Sequence, residues 1–563
     1  MSTNDPNTRT MALQEAFDLA LQHHQAGRLH EAERLYRQIL EVQPNQTDAM
    51  DLLGIIESQN GRQQAALELI SQAITINPRS ARYQNDLGLV LVNLGRLQDA
   101  VAAYRTALEL NPDDADAHCN LGAALQKLDR MDEAMAEWRT AITLKPDHSR
   151  AYCNLGAALL LQQRTDEAIA ALKSALTFNP NYAEAHSNLG IALRDKGQLE
   201  EAIAAYRQAI ALRPDYAEAH SNLGVALTDK GQLDKALAAH HQALALKPDF
   251  ANAHFNLSST LLMGGNFKRG WEENEWRWKC EDFPSPTRNF PQPQWDGGPL
   301  EARTLLLHAE QGLGDAIQFI RYVPMVAQRG GKIIIECHAE LQRLFQTMSE
   351  QCQIVVRGSP LPAFDLHCPL LSLPLVFGTT LENIPNTVPY LYADVREAKR
   401  WRRRLEDQLP IMKIGLVWEG NLKPNRNRAI RLSGLAPLGQ VSGVRFYSLQ
   451  KGEAAAQART PPTGMELVDW TDELKDFADT AALIANLDLV ITVDTAVAHL
   501  AGAMGKPVWT MLSFVADWRW LLQREDSPWY PTMRLFRQSV IGDWDSVIKR
   551  VVAALNLWIK NRE

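Results

Sequence analysis

The feature that most constrains this chain is a period of 34 residues, kept in phase through its first half. A Leu-Gly pair recurs at Gly54, Gly88, Gly122, Gly156, Gly190 and Gly224, each step being 34 residues (88 − 54, and onward). The same step backward reaches Ala20, and forward it reaches Ser258. Twelve residues after each of these positions up to Gly224 stands an alanine, from Ala32 through Ala66, Ala100, Ala134, Ala168 and Ala202 to Ala236. Twelve further on stands a proline: Pro44, Pro78, Pro112, Pro146, Pro180, Pro214 and Pro248. A repeat of this length is one helix pair that cannot bury its apolar face alone, so stacking must supply the core. The small residues let the two helices of a pair approach closely. Proline, which has no N–H and clashes with the preceding turn, ends the second helix.

This pattern resembles the tetratricopeptide repeat across residues 13–250, which implies an α-solenoid. An eighth unit starts at Ala251 and degenerates, with Gly270 in place of alanine and then Trp271, Trp276 and Trp278. Phe267–Trp278 reads either as a capping helix docked on the next domain or as ordinary solenoid core. The superhelix is placed at residues 13–279, with seven full repeats and the degenerate eighth. One repeat position is not explained by packing. Asp86, Asn120, Asn154, Asn188, Asn222 and Asn256 precede the leucine in successive units. Equal spacing puts them on one face of successive first helices, where amides with both donors and acceptors can clamp an extended peptide. The series is similar to the asparagine ladder of the protein O-GlcNAc transferases, which implies an acceptor groove at Asn120, Asn154, Asn188, Asn222 and Asn256. The alternative is that each asparagine bonds the neighbouring repeat. His118, His186 and His220 lie two residues before asparagines and read as repeat-consensus residues, not metal ligands.

The 563 residues allow several further domains, and 58 Lys+Arg against 66 Asp+Glu give a net charge of −8, which does not suggest a nucleic-acid partner. The six cysteines make no metal-binding CxxC pair and no disulfide framework. The polar start lacks a signal-peptide pattern, and no apolar run approaches the ~20 residues of a membrane span. The expectation is a soluble cytoplasmic protein that holds a protein or peptide in its repeat groove, with a homo-oligomer possible.

Helical periodicity stops at residues 280–301, where Pro284, Pro286, Pro291, Pro293 and Pro299 stand with Gly297 and Gly298. Proline at this density makes a stiff, extended connection. Beyond it, short apolar runs alternate with amphipathic stretches. Strands are expected at Thr304–His308, Lys332–Cys337 and Ile354–Val356, with helices at Asp315–Gln328 and Leu341–Met348. A second set has strands at Lys413–Trp418, Val444–Leu449, Leu487–Val493 and Val508–Leu512, with helices at Ala478–Ala485 and Ala496–Ala503. Such alternation argues for parallel sheets. The break at residues 394–410 argues for two Rossmann-like lobes, at 302–395 and 410–563. A last helix, Asp545–Lys560, is expected to cross back to the first lobe. Ligands in such folds sit beyond the carboxyl ends of the strands.

Three strand-end loops carry the chemistry. Gly312-Leu313-Gly314-Asp315 follows a strand and opens a helix, so Asp315 is either a helix cap or a general base. Asp494-Thr495-Ala496-Val497-Ala498-His499 is a second strand-to-helix turn, whose free N–H groups suit a diphosphate. Asp494 there could hold a ribose or the turn itself, and His499 is either a phosphate neighbour or structural. Trp418-Glu419-Gly420-Asn421 leads into Lys423, Arg426, Arg428 and Arg431, a basic cluster able to neutralise a departing phosphate. Asp543-Trp544-Asp545 imitates a metal-binding DxD but reads as a helix start.

From Arg303 onward the chain resembles glycosyltransferase family 9, the heptosyltransferase-like branch of the two-lobed GT-B enzymes. The resemblance implies Asp315 as the base for an acceptor hydroxyl. It implies nucleotide-sugar binding at Gly312, Gly314, Lys423, Arg426, Arg428, Asp494, Thr495, Ala496 and His499. It also implies a nucleotide-diphosphate sugar as co-substrate, with no other cofactor and no catalytic metal. Ala496 departs from the family's usual glycine. The Trp418–Asn421 and Asp517–Trp520 segments suggest a repeat-fused subgroup, so a heptose donor is not implied. The expected activity is sugar transfer to a protein or surface glycan. The alternatives are a scaffold whose GT-B domain has lost turnover and, with less support, a nucleotide-sugar epimerase.

Overall fold

A computed structural model describes residues 6–281, 283–348, 352–406, 412–420 and 429–561. The chain divides into two compact units, Met1–Asn222 and Leu223–Glu563. The first unit is built of paired helices, such as Ala115–Lys127 with Met131–Leu144. Each repeat glycine faces a bulky residue 16 positions later: a Cβ on Gly122 would lie 2.5 Å from Trp138, and one on Gly190 2.6 Å from Tyr206. Trp138 and Tyr206 are fully buried, so the glycine is the space that the ring occupies. The period also governs the turn between paired helices. Positive φ recurs every 34 residues, at Gly27, Gly61, Gly95, Asp129, Gln163 and Gly197. Asp129 and Gln163 hold a backbone conformation that costs a side-chain-bearing residue about 1 kcal/mol or more. Gln163→Gly should therefore raise the melting temperature, by up to about 1 kcal/mol of stability, whereas the same change at a right-handed helix position should lower it.

The second unit begins inside a repeat helix and keeps the last repeat helices with the α/β region. Helix α1 (Ala251–Met263) is followed by α2 (Phe267–Asn274) and a 3-10 turn at Glu275–Lys279. The degenerate repeat docks on the α/β region. Trp271 Nε1 donates to Thr379 O at 3.1 Å, and Phe267 stacks on Trp529 with ring centres 6.0 Å apart.

Two parallel sheets make up this region. The first contains β1 (Glu301–His308), β2 (Gly330–Cys337), β3 (Cys352–Val356) and β4 (Leu366–Pro369), in the order β3-β2-β1-β4. The second contains β5 (Met412–Val417), β6 (Val444–Ser448), β7 (Leu467–Val468), β8 (Leu489–Val493), β9 (Val508–Leu512) and β10 (Met533–Arg537), in the order β10-β9-β8-β5-β6-β7. The helices that matter for the site are α3 (Leu313–Phe319), α4 (Val395–Glu406), α5 (Phe477–Ile484), α6 (Ala496–Ala503) and α7 (Trp544–Lys560). The expected helix at Asp315–Gln328 is broken after Phe319 by a 3-10 turn ahead of Pro324. The expected separator at 394–410 contains α4, tied to the segment after α5 by Asn486 Nδ2 donating to Ala398 O at 2.9 Å. The last helix does not cross back. Its buried face, Val547, Ile548, Val551 and Leu555, packs with Trp509 and Phe536 of its own lobe, because that sheet face needs a cover. Asp543 caps this helix by accepting from Ser546 N at 3.1 Å.

Both sheets reverse strand order next to their first strand, which is where open α/β sheets bind ligands. In the first sheet the chain fills this point itself. Glu310, just past β1, accepts from Leu370 N (3.1 Å) and Leu371 N (3.0 Å), just past β4. Arg277, fully buried, reaches it from the 3-10 turn at 3.1 Å and also binds Glu275 and Ser372. Burial pushes the Glu310 carboxyl up to about 7, against the pull of Arg277. The folded chain therefore holds this proton more tightly than the unfolded chain. That contribution to stability is full below the ordinary carboxylate value and is lost as pH rises to about 7. Arg277→Met extends the loss upward in pH. Its melting temperature should fall below wild type by more at about pH 8, where the charge is stranded at a cost of about 3 kcal/mol, than at about pH 5.

Candidate functional site

The second sheet's reversal point lies between β5 and β8. Gly420, past β5, presses on the turn past β8: a Cβ there would stand 3.1 Å from Thr495 Cγ2 and 3.2 Å from Asp494 O. Gln450, past β6, clamps the same loop. Its Oε1 accepts from Trp418 N (3.0 Å) and Glu419 N (2.9 Å), and its Nε2 donates to Glu419 O and Lys451 O. Thr495 is the N-cap of α6, its hydroxyl 3.0 Å from that of Thr492. Lys423, Arg426 and Arg428 lie outside the described residues.

The two strand-to-helix turns come together. A Cβ on Gly314 would be 3.0 Å from His499 Cδ2 and 3.6 Å from Ala496 Cα, so α3 and α6 touch at their first turns. His499 is a wedge in this contact, stacked on Trp520 and with Nδ1 2.9 Å from the Tyr530 hydroxyl. Burial, then the charges of Arg519 and Arg321, hold its pKa well below the ordinary value, so the ring is neutral. The structure thus places His499 in the packing between the lobes. Arg321 braces the same junction, donating to Trp529 O at 2.7 Å and to the Tyr390 hydroxyl at 3.0 Å.

Asp315 does two things at once. One oxygen accepts from Gly312 N at 2.9 Å, capping α3, and the other pairs with Arg519. Arg519 also binds Asp517 at 2.8 Å and Gln318 Oε1. Burial raises the Asp315 pKa, and Arg519 opposes it. Burial likewise works against the Arg519 charge, but Asp517 and Asp315 outweigh it and raise its pKa.

Beside Asp494 opens a cavity of about 280 Å³. One wall is Asp494 with Ser513, Asp517 and Trp518, from the ends of β8 and β9; the other includes Asn256 and Asp229 from the last repeat helices. Asp315 does not line it but lies behind Asp517, across Arg519. Sequence reasoning missed Arg519 and Gln450 as site residues. Arg519 had a visible signal in Asp517-Trp518-Arg519-Trp520; Gln450 had none.

Three of the ladder asparagines reach the preceding repeat. Asn120 Nδ2 donates to Asn85 Oδ1 at 3.0 Å, and Asn154 and Asn188 reach Cys119 and Cys153 of the preceding repeat at 3.9 and 3.7 Å. His118, His186 and His220 each bond a proline carbonyl six residues back. Among the described residues no group of three or more His, Cys, Asp or Glu is arranged to hold a metal, and no helix is long and apolar enough to cross a membrane.

Tetratricopeptide-repeat family models match residues 17–81, 90–129, 115–148, 158–193, 190–228 and 217–250. The periodic helices are tetratricopeptide repeats. The model of glycosyltransferase family 9 (heptosyltransferase) matches residues 450–513, from the end of β6 to the end of β9, and so includes Asp494, Thr495 and His499 but not Asp315. The parallel-sheet region is consistent with the GT-B architecture. The chain is 30% identical over 320 residues to Protein FlbA of Caulobacter vibrioides, a match covering 52% of this chain and 53% of that one. It thus spans about half the length of that curated relative. Among solved structures it is similar to the Cut9-Hcn1 hetero-tetramer of the APC/C (18% identity, 44% of this chain and 49% of that one, TM-score 0.39). It is also similar to YrrB, described as a repeat protein with an unusual peptide-binding site (27% identity, 33% of this chain and 95% of that one, TM-score 0.28).

The Gly314–His499 contact makes a sharp prediction. Gly314→Val should lower stability by about 1–3 kcal/mol through overpacking. His499→Ala in the same chain should return part of that loss, read as a coupling energy in a double-mutant cycle of melting temperatures.

Proposed function

We propose that the second unit is a glycosyltransferase that moves a sugar from a nucleotide-diphosphate sugar to a macromolecular acceptor held by the repeats. The observation that carries this reading is the pairing of the β5/β8 reversal point, where Gly420 packs on the Asp494–Thr495 turn, with a family 9 match over that turn. The donor is assigned to this lobe because the equivalent point of the first sheet is filled by Glu310 and Arg277. The acceptor is assigned to the cavity beside Asp494, whose far wall includes Asn256, the last ladder asparagine.

In the reaction, the acceptor oxygen bonds to the anomeric carbon as the bond to the diphosphate breaks. Asp315, whose burial raises its affinity for a proton, takes the acceptor's proton once Arg519, which stands between it and the cavity, turns toward Asp517 alone. Arg519 keeps its partner Asp517 as Asp315 becomes neutral. The first N–H groups of α6 and cationic side chains stabilise the departing diphosphate, so no metal is required. Thr495 and Ala496 set the backbone of that turn, and His499 holds the lobes in register. Among cations, Lys423, Arg426 and Arg428 are assigned to the donor from their place after β5.

A scaffold without turnover is the second reading, favoured by one observation: both Asp315 oxygens are already engaged, by Gly312 N and Arg519. Thermal shift and turnover with a panel of nucleotide sugars separate the two. One donor should stabilise the wild type, and Asp494→Ala should abolish that shift. Asp315→Asn should keep the shift and lose about 100-fold or more in transfer or donor hydrolysis. A donor that binds but is never turned over would leave the scaffold reading standing.

A further inference from the structure

The asparagine ladder has an exception at its first rung. Asn120, Asn154 and Asn188 each turn an amide N–H toward the residue 35 positions back (120 − 85, 154 − 119, 188 − 153), namely Asn85, Cys119 and Cys153. The same step from Asp86 reaches Asp51 (86 − 51). Here the ladder position carries a carboxylate in place of the amide, and so does its partner. Later repeats place Asn85, Cys119, Cys153, Ser187 and Ser221 at the Asp51 position, none of them an acid. An ionised carboxylate has acceptors only, so no N–H is left to close this rung.

Asp51 is fully buried on the helix Thr47–Gln59. Its Oδ2 accepts from Arg82 Nε at 3.2 Å, whereas Oδ1 is buried and finds no donor among the described residues. Asp86, on the helix Ala81–Asn93, lies within hydrogen-bonding reach of it. The one cation acting on the pair is Arg82, and it divides its donors between Asp51 and Asp48, which also accepts from the Tyr83 hydroxyl at 2.7 Å. Asp114, the N-cap of the helix Ala115–Lys127, adds repulsion to Asp86. Tyr104 faces Asp86 from the helix Leu97–Leu110, and Tyr36 faces Arg82 from the helix Leu29–Val42, but a phenol brings no positive charge.

Two touching carboxylates that share one cation do not both ionise at low cost. One keeps its proton, and that proton is the donor the rung lacks. Burial, then the charge of Asp86, holds the Asp51 carboxyl above the ordinary carboxylate range, against the pull of Arg82. Burial raises Asp86 as well. A proton held more tightly in the folded chain than in the unfolded one stabilises fully below the ordinary carboxylate value. That contribution is lost as pH rises through the raised value.

We propose that Asp51 and Asp86 share one proton that joins the helices Thr47–Gln59 and Ala81–Asn93, so that this end of the repeat stack loosens as pH rises. The joint lies wholly within the first unit and does not depend on the transfer reading above.

Hydrogen exchange of the full chain, followed by mass spectrometry and corrected for the intrinsic pH dependence of amide exchange, reads this joint separately from the α/β region. Between the ordinary and the raised carboxylate values, opening the joint releases a proton. Protection of 47–59 and 81–93 in the wild type should therefore fall by up to about tenfold per pH unit, relative to the helix Ala183–Asp195 of the same unit. Asp86→Asn rebuilds the Asn120–Asn85 arrangement at this joint. It should hold the ratio constant from about pH 5 to about pH 9 and exceed wild type at the upper end. Asp51→Asn puts the N–H on the other side of the same bond and decides the matter if Asp86→Asn disturbs the fold. Loss of the pH dependence in either folded variant supports the shared proton. A wild-type ratio that does not move with pH would overturn it, and so would a fall that persists unchanged in both variants.

Discussion

The guanidinium of Arg519 is the interaction around which the α/β unit is arranged. It is buried, it leaves from the segment after β9, and it is held by Asp517 on its own lobe and by Asp315 and Gln318 on the other. A lone buried cation would be costly, and two carboxylates from opposite sides remove that cost only when the lobes are closed on each other. The charge therefore fixes the distance between α3 and the β9 loop. The Gly314–His499 contact then fixes the approach of α3 to α6 by close packing against the ring's Cδ2 and not by charge. Charge pairing and close packing thus set the same junction independently. That explains why a glycine and an arginine far apart in sequence serve one geometry.

The two sheets share the reversal of strand order beside their first strand, yet they treat it differently. Glu310 and Arg277 close the crevice of the first sheet, and the arginine comes from the turn that ends the repeats. In the second sheet the equivalent loops are drawn together by backbone contact at Gly420 and by the Gln450 amide. A carboxylate at the first point would repel a phosphate. Dipoles and free N–H groups at the second would attract one.

Much of this was legible in the sequence because the responsible forces are local or periodic. The 34-residue step, the proline stops and the strand-to-helix turns at Gly312 and Asp494 each announce themselves within a few residues. The expected bounds of Ala496–Ala503 and Val508–Leu512 match the structure because both are mostly apolar segments set between breakers, Asp494 and Gly505 for the first, Pro507 and Ser513 for the second. What was not legible depends on partners distant in sequence. Strand β4 is four residues ending in proline, and β7 is two residues, so neither makes a pattern. Helix α4 hides its apolar stripe, Trp401 and Leu405, among arginines. The placing of α7 failed because an amphipathic face says only that it must be covered, not by which sheet. Of the two roles read into Asp315, the structure shows the cap, whose carboxylate is also paired across the junction with Arg519. Arg519, which completes that pair, is 204 residues away.

The turn series also bears on how the repeats yield. Each repeat touches mainly its neighbours, so stability is summed locally along the stack. Of the turns at 34-residue spacing from Gly27 to Gly265, all are glycine except Asp129 and Gln163, which are consecutive members of the series. Those two turns carry strain that the others do not. The solenoid is therefore not a spring of uniform stiffness: its compliance is concentrated at two adjacent joints, where bending or fraying relieves a cost instead of adding one.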